Sequence, residues 1–369
     1  MTKLAGIQEN KSKAAYLSRL PSLDGWRAIS ITLVLGSHST HTAHFPHQLD
    51  IVFKWAFDSD LGVRSFFLIS GFLITWLMLL ENDRSGRINL KHFYVRRCLR
   101  ILPVYLVYLG AIAGLQAFTP YSQSTIHWIA NLTFTTNFLG AGAATGHLWS
   151  LAVEEQFYLT WPLAVVLFGL AATPRRVLFA FGLVLAVSPF WRVISYTHTY
   201  THPLFGGYSL LNYMDSLVIG CASAIFLNRK PTLLEKYLTA DPWLPALSAM
   251  ALILTPYILN KLFLLGVFTV SLGPSCEALG LAVLLLQSLF LANWGFYRIL
   301  NWRWVRQIGV LSYSIYIWQQ IFWMQPETLG VGDVWWMSFP GWLLPVFFVA
   351  FISYYGLERP LLGLRSRFR

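Results

Sequence analysis

Long apolar stretches constrain the fold of this chain more than any other feature of its sequence. Each is close to the roughly 20 residues that a helix needs to cross the hydrocarbon core of a bilayer. Of the 369 residues, 56% are hydrophobic and only 12% are charged, whereas a soluble protein of this size carries far more charge. The sequence therefore predicts an all-α, polytopic integral membrane protein with about ten transmembrane helices. The predicted spans are 24–43, 61–80, 101–119, 148–171, 176–196, 209–228, 242–259, 274–293, 308–325 and 336–357.

The basic residues predict the orientation of these spans. Twenty-two of the 27 Lys and Arg residues fall in the two tails and in alternate loops. Such asymmetry marks the cytoplasmic side and places both termini there. It also explains the net charge of +11 without a nucleic-acid partner. The predicted organisation is a cytoplasmic tail at 1–23, a membrane domain at 24–358 and a basic cytoplasmic tail at 359–369.

The first span carries two residues that a membrane helix should avoid, Arg27 and His38. They are eleven positions apart, which is close to three helical turns and a rise of roughly 16 Å, so both side chains lie on nearly the same face. A purely structural alternative is that Arg27 reaches the interface and His38 fills a polar gap between helices. Because each such group costs free energy in hydrocarbon, a functional role for the pair is the better interpretation.

The fourth span carries the carboxylate of Glu154. We place it about 9 Å below the outer boundary, at a depth similar to that of His38. A carboxylate at this depth needs a partner, and we predict that Glu154 supports His38 by hydrogen-bonding one imidazole nitrogen. The alternative is that Glu154 pairs with another helix and only holds the bundle together.

At the cytoplasmic start of the third span, Arg97 and Arg100 are three residues apart and share a helix face. Two guanidinium groups on one face suit a phosphate or diphosphate group. The alternative is that they are topology signals attracted to anionic lipid.

The histidines cluster at the outer end of the first span. They are His38, His41, His44 and His47, a set of residues that can bind a metal in other proteins. Because the chain is expected to leave the helix before Pro46, we predict no metal site. The longest outer loop, roughly 120–147, is predicted to cover an external pocket.

Five motifs occur in order along the chain: DGWRAISITLVLGSH, GVRSFFLISGFLIT, FYVRRCLRILPVYLVYL, HLWSLAVEEQFYLTWPL and LSYSIYIW. Together they resemble the acyltransferase-3 family of integral-membrane O-acyltransferases, such as the O-antigen and exopolysaccharide acetylases, from about residue 22 to 362. The resemblance implies transfer of an acyl group, usually acetyl, from cytoplasmic acetyl-CoA to a hydroxyl of a sugar or other acceptor. The acceptor is often at the outer face, and a bacterial inner membrane is the implied location. Acetyl-CoA is then a donor substrate, and no bound cofactor is implied.

The resemblance also implies roles for individual residues. The family's pattern of Arg, ten residues and His falls on Arg27 and His38, its Arg-x-x-Arg motif on Arg97 and Arg100, and its carboxylate on Glu154. The implied coenzyme site comprises Arg97, Arg100 and Arg27. His38, Glu154 and Arg27 are the implied catalytic set, with His38 as the base that activates the hydroxyl.

The chain departs from the family pattern at three positions. Arg64 stands where many relatives have an acidic residue, and Tyr213 stands where the family has a basic one. Gln319 stands where many relatives have His, so we assign that position no acid–base role. No esterase-like domain follows the tenth span in this sequence, and acceptor handling by such a domain is expected to be absent or supplied by another protein.

Two other functions remain open at this stage. A proton-coupled transporter of a small molecule or lipid-linked sugar would use Arg27, His38 and Glu154 as a relay in mid-membrane. An acyltransferase acting on a small molecule, such as a macrolide, would keep the chemistry and change the acceptor. The residues alone do not name the acceptor or the length of the acyl chain.

Overall fold

A computed structural model describes residues 21–167, 169, 174–198 and 208–364, and these residues are mostly helical. Ten helices overlap the ten predicted spans. They are α1 (Pro21–Ser39), α2 (Ser59–Ser85), α3 (Leu90–Phe118), α4 (Trp149–Leu167), α5 (Pro174–His198), α6 (Leu210–Arg229), α7 (Trp243–Lys261), α8 (Gly273–Phe290), α9 (Arg303–Trp323) and α10 (Leu343–Ser353). Helix α10 continues through a π-helical turn, Tyr354–Glu358, into a last helix, Arg359–Leu364. The described residues form no β-strand, only an isolated bridge between Ala43 and Ser338, so the all-α prediction is confirmed.

Short helices connect the long ones. Those of α type are Asp50–Ala56, Thr125–Leu132, Thr136–Leu139, Pro231–Thr239, Gly266–Ser271 and Tyr297–Leu300. Those of 3₁₀ type are His47–Leu49, Gly146–Leu148, Pro326–Leu329 and Trp335–Met337. The predicted tails, 1–23 and 359–369, lie mostly outside the described residues. Residues 21–23 and 359–364 of these tails are helical.

Within the described residues, five segments are long and apolar enough to cross a membrane, judged by length and composition: His47–Ser85, which includes α2, and helices α3, α6, α7 and α8. The outward faces of the bundle carry large exposed apolar side chains, among them Leu106, Phe190 and Phe348. Exposure of such a surface to water is unfavourable, whereas contact with lipid chains is not. The fold is therefore that of an integral membrane protein.

Helix α1 begins and ends earlier than its sequence pattern predicts. Ser22 lies inside the first turn and donates its hydroxyl to the carbonyl oxygen of Ser288 at 3.2 Å. The indole of Trp26 donates to the Ser288 hydroxyl at 3.1 Å, which ties the start of α1 to α8. The helix ends at Ser39 rather than at residue 43, so His38 lies in its last turn.

A charged residue buried in α5 shows how the bundle satisfies its interior charges. The Arg192 guanidinium donates to the carbonyl oxygens of Asn212 and Ser271, at 2.8 and 2.7 Å, and pairs with the buried carboxylate of Asp215. The hydroxyl of Ser275 donates to the same carboxylate. The ion pair and these hydrogen bonds offset part of the cost of burying the charge.

Helices α2 and α6 cross so closely that glycine is required on both sides of the contact. A Cβ atom placed on Gly71 would lie 2.0 Å from the carbonyl oxygen of Leu217. A Cβ atom on Gly220 would lie 2.0 Å from that of Leu68. Small residues allow this approach of two backbones, which contributes packing between membrane helices. The crossing fixes α2, whose other face lines the candidate site.

We expect Gly220→Ala to lower the melting temperature of the detergent-solubilised protein, because the added methyl group meets backbone that has to move. Overpacking of this kind costs about 1–3 kcal/mol. The matched control is Gly110→Ala on α3, where a Cβ atom meets nothing within 4 Å. The control should be neutral or slightly stabilising, since alanine favours helix over glycine. Equal melting temperatures for the parent and the Gly220 variant would contradict the close crossing.

Candidate active site

Two cavities lie one above the other inside the bundle, and they contain all five sequence-predicted site residues. The first, which we call the arginine cavity, has a volume of about 180 Å³ and is lined by Arg27, Arg97, Arg100 and Glu154. The second, the histidine cavity, has a volume of about 420 Å³ and is lined by His38. The structure therefore separates the predicted set into two groups.

The arginine cavity brings together three guanidinium groups from two helices. Arg27 comes from α1, and Arg97 and Arg100 come from the first half of α3. Among the described residues, no carboxylate oxygen lies within 4.0 Å of Arg97 or Arg100, while Arg27 has Asp24 at 3.9 Å. Arg97 stacks over the ring of Tyr158 with 4.6 Å between the guanidinium carbon and the ring centroid. The predicted set of three arginines thus shares one concave site.

Glu154 belongs to the arginine cavity rather than to His38. Its carboxylate faces the hydroxyl groups of Ser70 and Tyr158 and the guanidinium of Arg97. The predicted hydrogen bond to His38 is not formed, because Glu154 and His38 line different cavities. The predicted depth along the helix did not identify which neighbouring helix the side chain meets. Glu154 lies one turn below Ser150 on the same face of α4, and this face descends into the arginine cavity.

His38 is held by α9, on the outer side of the bundle. Its Nδ1 lies 3.0 Å from Oε1 of Gln319, and its ring stacks on Trp323 with 4.8 Å between centroids. Because an amide oxygen only accepts, Nδ1 carries the proton and Nε2 keeps a lone pair. Gln319, to which the sequence analysis gave no acid–base role, thus orients the imidazole through this hydrogen bond. A histidine at this position would have suggested a catalytic group, but a glutamine gave no such signal.

The two cavities meet at a wall made of two side chains. Val63 on α2 and Tyr316 on α9 line both cavities. Both are buried, with 5% and 7% of their surface exposed. The hydroxyl of Tyr316 donates to the carbonyl oxygen of His147 at 2.9 Å and is also hydrogen-bonded to Ser150. The wall therefore includes a hydrogen-bonded side chain, and it lies between the arginines and His38.

The outer loop covers the histidine cavity, as predicted. Thr136, Gly140, Ala141 and Gly146 line the cavity on this side. Hydrogen bonds within the loop hold it in place, including that from the Thr145 hydroxyl to Oε1 of Gln123 at 3.0 Å. The histidine cavity is thus lined in part by this loop and its short helices, whereas the arginine cavity is lined by long helices alone.

The unusual Arg64 takes part in a charge network at the edge of the histidine cavity. Its guanidinium pairs with Asp60 on its own helix and with Glu277 on α8. Tyr213 donates its hydroxyl to Asp60 at 2.9 Å. The two departures from the family pattern, Arg64 and Tyr213, therefore lie side by side, and the acidic partners balance the exchanged charge. Asp60 itself lines the cavity and gives it a local acidic group.

Two further residues at the site were missed by sequence reasoning. His147 is buried in the wall of the histidine cavity, and its Nε2 donates to the carbonyl oxygen of Ile317 at 3.0 Å. Its place two residues before Trp149 in the HLWSL motif was the available signal. Glu358, only 3% exposed, accepts from the Ser314 hydroxyl and lies within electrostatic range of Arg27 and Arg100. No sequence pattern distinguishes it, because the π-helical turn that turns it inward is a tertiary feature.

The histidine cluster does not come together as a metal centre. His41 lies in the turn after α1, with its ring 6.1 Å from that of Trp323. The exposed His44 pairs instead with Asp333 at 2.7 Å. Across the described part of the chain, no group of three or more His, Cys, Asp or Glu side chains is arranged to hold a metal ion.

Comparison with known proteins agrees with the motifs. The sequence profile of the acyltransferase-3 family, described as an acyltransferase domain, matches residues 20–358. The chain is 26% identical to a Bacillus subtilis protein named "Putative peptidoglycan O-acetyltransferase YrhL", over 96% of this chain and 57% of that protein. It is also 26% identical to the peptidoglycan O-acetyltransferase OatA of Listeria monocytogenes, over 81% of this chain and 48% of that protein. No solved structure matches the chain.

The chain spans about half the length of the curated relatives it matches. The profile match, by contrast, covers nearly the whole of this chain, including every residue of both cavities. Membership of an enzyme family supports the acyltransferase interpretation over the transporter. This chain therefore belongs to the acyltransferase-3 family of membrane acyltransferases.

Proposed function

We propose that this protein is an O-acetyltransferase that moves an acetyl group from cytoplasmic acetyl-CoA to a hydroxyl of a cell-envelope glycan at the outer face of the bacterial inner membrane. One observation carries the proposal. A cavity with three arginines and a cavity with His38, whose Nε2 keeps a lone pair, share a wall of two side chains. The names of the relatives, which are peptidoglycan O-acetyltransferases, support a glycan as the acceptor class.

The arginine cavity is the proposed donor site. Arg97 and Arg100 enter it from the half of α3 that the charge distribution predicts to be cytoplasmic, and Arg27 enters it from the same half of α1. Phosphate groups of the coenzyme would bind to these guanidinium groups, since charge-assisted hydrogen bonds to phosphate are strong and geometrically specific. Glu154 holds Arg97 and Tyr158 in position, which makes it a positioning residue for the donor.

The histidine cavity is the proposed acceptor site. The acceptor hydroxyl would lie beside Nε2 of His38, because Nδ1 is occupied by Gln319. Several aromatic side chains line the cavity, among them Trp149, Tyr208 and Trp323. Flat aromatic faces suit the apolar faces of sugar rings, and the free polar groups of the cavity suit their hydroxyls.

Transfer then requires a single displacement. His38 Nε2 takes the hydroxyl proton while the hydroxyl oxygen attacks the thioester carbonyl carbon. The new carbon–oxygen bond forms, the carbon–sulfur bond breaks, and the coenzyme leaves as a thiolate that receives the proton from His38. Both substrates are bound at once, so the acetyl group reaches the outer side while the coenzyme stays on the cytoplasmic side. Ternary-complex kinetics would agree with this order, whereas ping-pong kinetics would indicate an acyl-histidine intermediate.

The first test concerns His38 and the proposed activity together. Cells lacking the gene should lose O-acetyl groups from their envelope glycans, and the parent gene should restore them. We expect His38→Ala to restore none, because the acceptor loses its base, and His41→Ala to restore them fully. Mass spectrometry of purified peptidoglycan and surface polysaccharide measures the outcome, with immunoblots of the membrane fraction as the control for protein level. Unchanged acetylation in deleted cells would refute the proposed activity.

The second test concerns the donor site. The double variant Arg97→Gln, Arg100→Gln should raise the KM for acetyl-CoA by about ten- to a hundredfold, since a hydrogen bond to a charged group contributes about 1.5–3 kcal/mol. Arg96→Gln on the same helix is the matched control, because Arg96 pairs with Glu81 at 2.9 Å and does not line the cavity. The KM for the acceptor should stay within about twofold in both proteins. An unchanged donor KM in the double variant, with folded protein in the membrane, would remove the arginines from the donor site.

The third test determines whether Gln319 or Glu154 supports His38. Gln319→Leu should lower kcat by about tenfold and leave the donor KM unchanged, because it removes only the hydrogen bond that orients the imidazole. Glu154→Gln should instead raise the donor KM, since the carboxylate acts on Arg97. Steady-state kinetics on the purified proteins distinguishes the two. A loss of kcat alone in the Glu154 variant would restore the original assignment of Glu154 to His38.

A further inference from the structure

The wall between the two cavities has a direct consequence for the acyl group. The coenzyme enters from the arginine cavity and the hydroxyl from the histidine cavity, while bond formation needs the carbonyl carbon within about 3–3.5 Å of the attacking oxygen. The residues that line both cavities are Val63 and Tyr316. The thioester carbonyl is therefore expected to react at this boundary, beside Val63 and Tyr316, whichever cavity holds the rest of each substrate.

We infer that Val63 and Tyr316 determine the length of the acyl chain that this protein transfers, and that they restrict it to acetyl. The inference rests on the proposed function and adds the donor specificity. An acetyl group places one methyl group beyond the carbonyl, against the wall. Each further methylene has to displace a side chain of the wall or enter the space that the acceptor occupies.

The wall is unable to yield easily, because both of its side chains are fixed. Val63 is buried on α2, and a β-branched side chain in a helix has one strongly preferred rotamer. Tyr316 is buried on α9, and its hydroxyl is hydrogen-bonded to Ser150 and to the carbonyl oxygen of His147, at the start of α4. Close-packed interiors tolerate little added volume. The size of these two side chains, rather than their mobility, then sets the available space.

The two residues contribute different properties to this wall. Val63 supplies only volume, so a change at this position alters space without altering hydrogen bonds. Tyr316 supplies volume through its ring and anchorage through its hydroxyl. Tyr316→Phe keeps the ring and removes the anchor, whereas Val63→Ala keeps the anchor and opens space for about two methyl groups. A comparison of the two variants therefore distinguishes the effect of side-chain volume at the wall from the effect of the hydrogen bonds that hold Tyr316.

The experiment measures kcat/KM of the purified full-length protein for acetyl-, propionyl- and butyryl-CoA, with peptidoglycan fragments and surface polysaccharide from the gene-deleted cells as acceptors. We expect the parent to favour acetyl over butyryl by about a hundredfold, because one or two extra methylenes in a tight site cost about ten- to a hundredfold each. Val63→Ala should reduce this ratio at least tenfold by accelerating butyryl transfer. Val63→Phe should lower transfer of all three groups by about a hundredfold while the KM for acetyl-CoA stays within about twofold.

The control variants are Val107→Ala and Val107→Phe on α3, where the side chain is 49% exposed on the outer surface of the bundle. They should leave the chain-length ratio of the parent unchanged. A Val63→Ala protein with the parent's acetyl-to-butyryl ratio would overturn the inference, and so would a parent protein that transfers butyryl as fast as acetyl. The ratio is independent of the amount of folded protein, so partial misfolding does not mask the result. A parent protein that transfers no acyl group from any of the three donors refutes the proposed function instead.

Discussion

The cost of placing charge in hydrocarbon organises this structure. Arginine, glutamate and histidine side chains within the spans face the interior of the bundle, because the lipid side offers them no partner. Arg192 shows the structural solution, a buried ion pair with Asp215 supported by hydrogen bonds to backbone carbonyl oxygens. The arginine cavity shows the other solution, in which guanidinium groups converge on a concave space that a polyanionic substrate can fill. The same physical rule thus produces both a structural ion pair and a proposed binding site.

The close crossing of α2 and α6 makes this arrangement possible. With glycine at positions 71 and 220, the two backbones come together, and α2 presents its other side to both cavities. Ser70 faces the arginine cavity, while Val63, two turns towards the outer side, lies in the wall between the cavities. A bulkier residue at the crossing would displace α2 and would shift Ser70 and Val63 together. Packing far from the chemistry therefore fixes the distance between the two proposed substrates.

The site also shows how a family pattern can be kept while individual residues change. Gln319 holds the His38 imidazole through an amide oxygen, which needs no titratable group. Arg64 stands in place of an acidic residue and the neutral Tyr213 in place of a basic one, and Asp60 and Glu277 both pair with Arg64. These substitutions leave the two cavities in place. They alter the electrostatics of the histidine cavity, where the acceptor is proposed to bind, and leave the residues of the arginine cavity as the family motif has them.

The sequence by itself determined the fold class, the approximate positions of the ten helices and five of the residues that line the two cavities, because these follow from hydrophobicity, helical spacing and local motifs. Arg27 and His38 lie three turns apart on one helix in the structure as in the sequence, and Arg97 and Arg100 share a face of α3. Only the tertiary structure decided which residues meet across helices. Similar depths were predicted for Glu154 and His38, yet α4 directs the carboxylate into the arginine cavity towards Arg97, and α9 brings Gln319 to the imidazole. Rotation of one helix against another depends on packing of the whole bundle, and no local pattern encodes it.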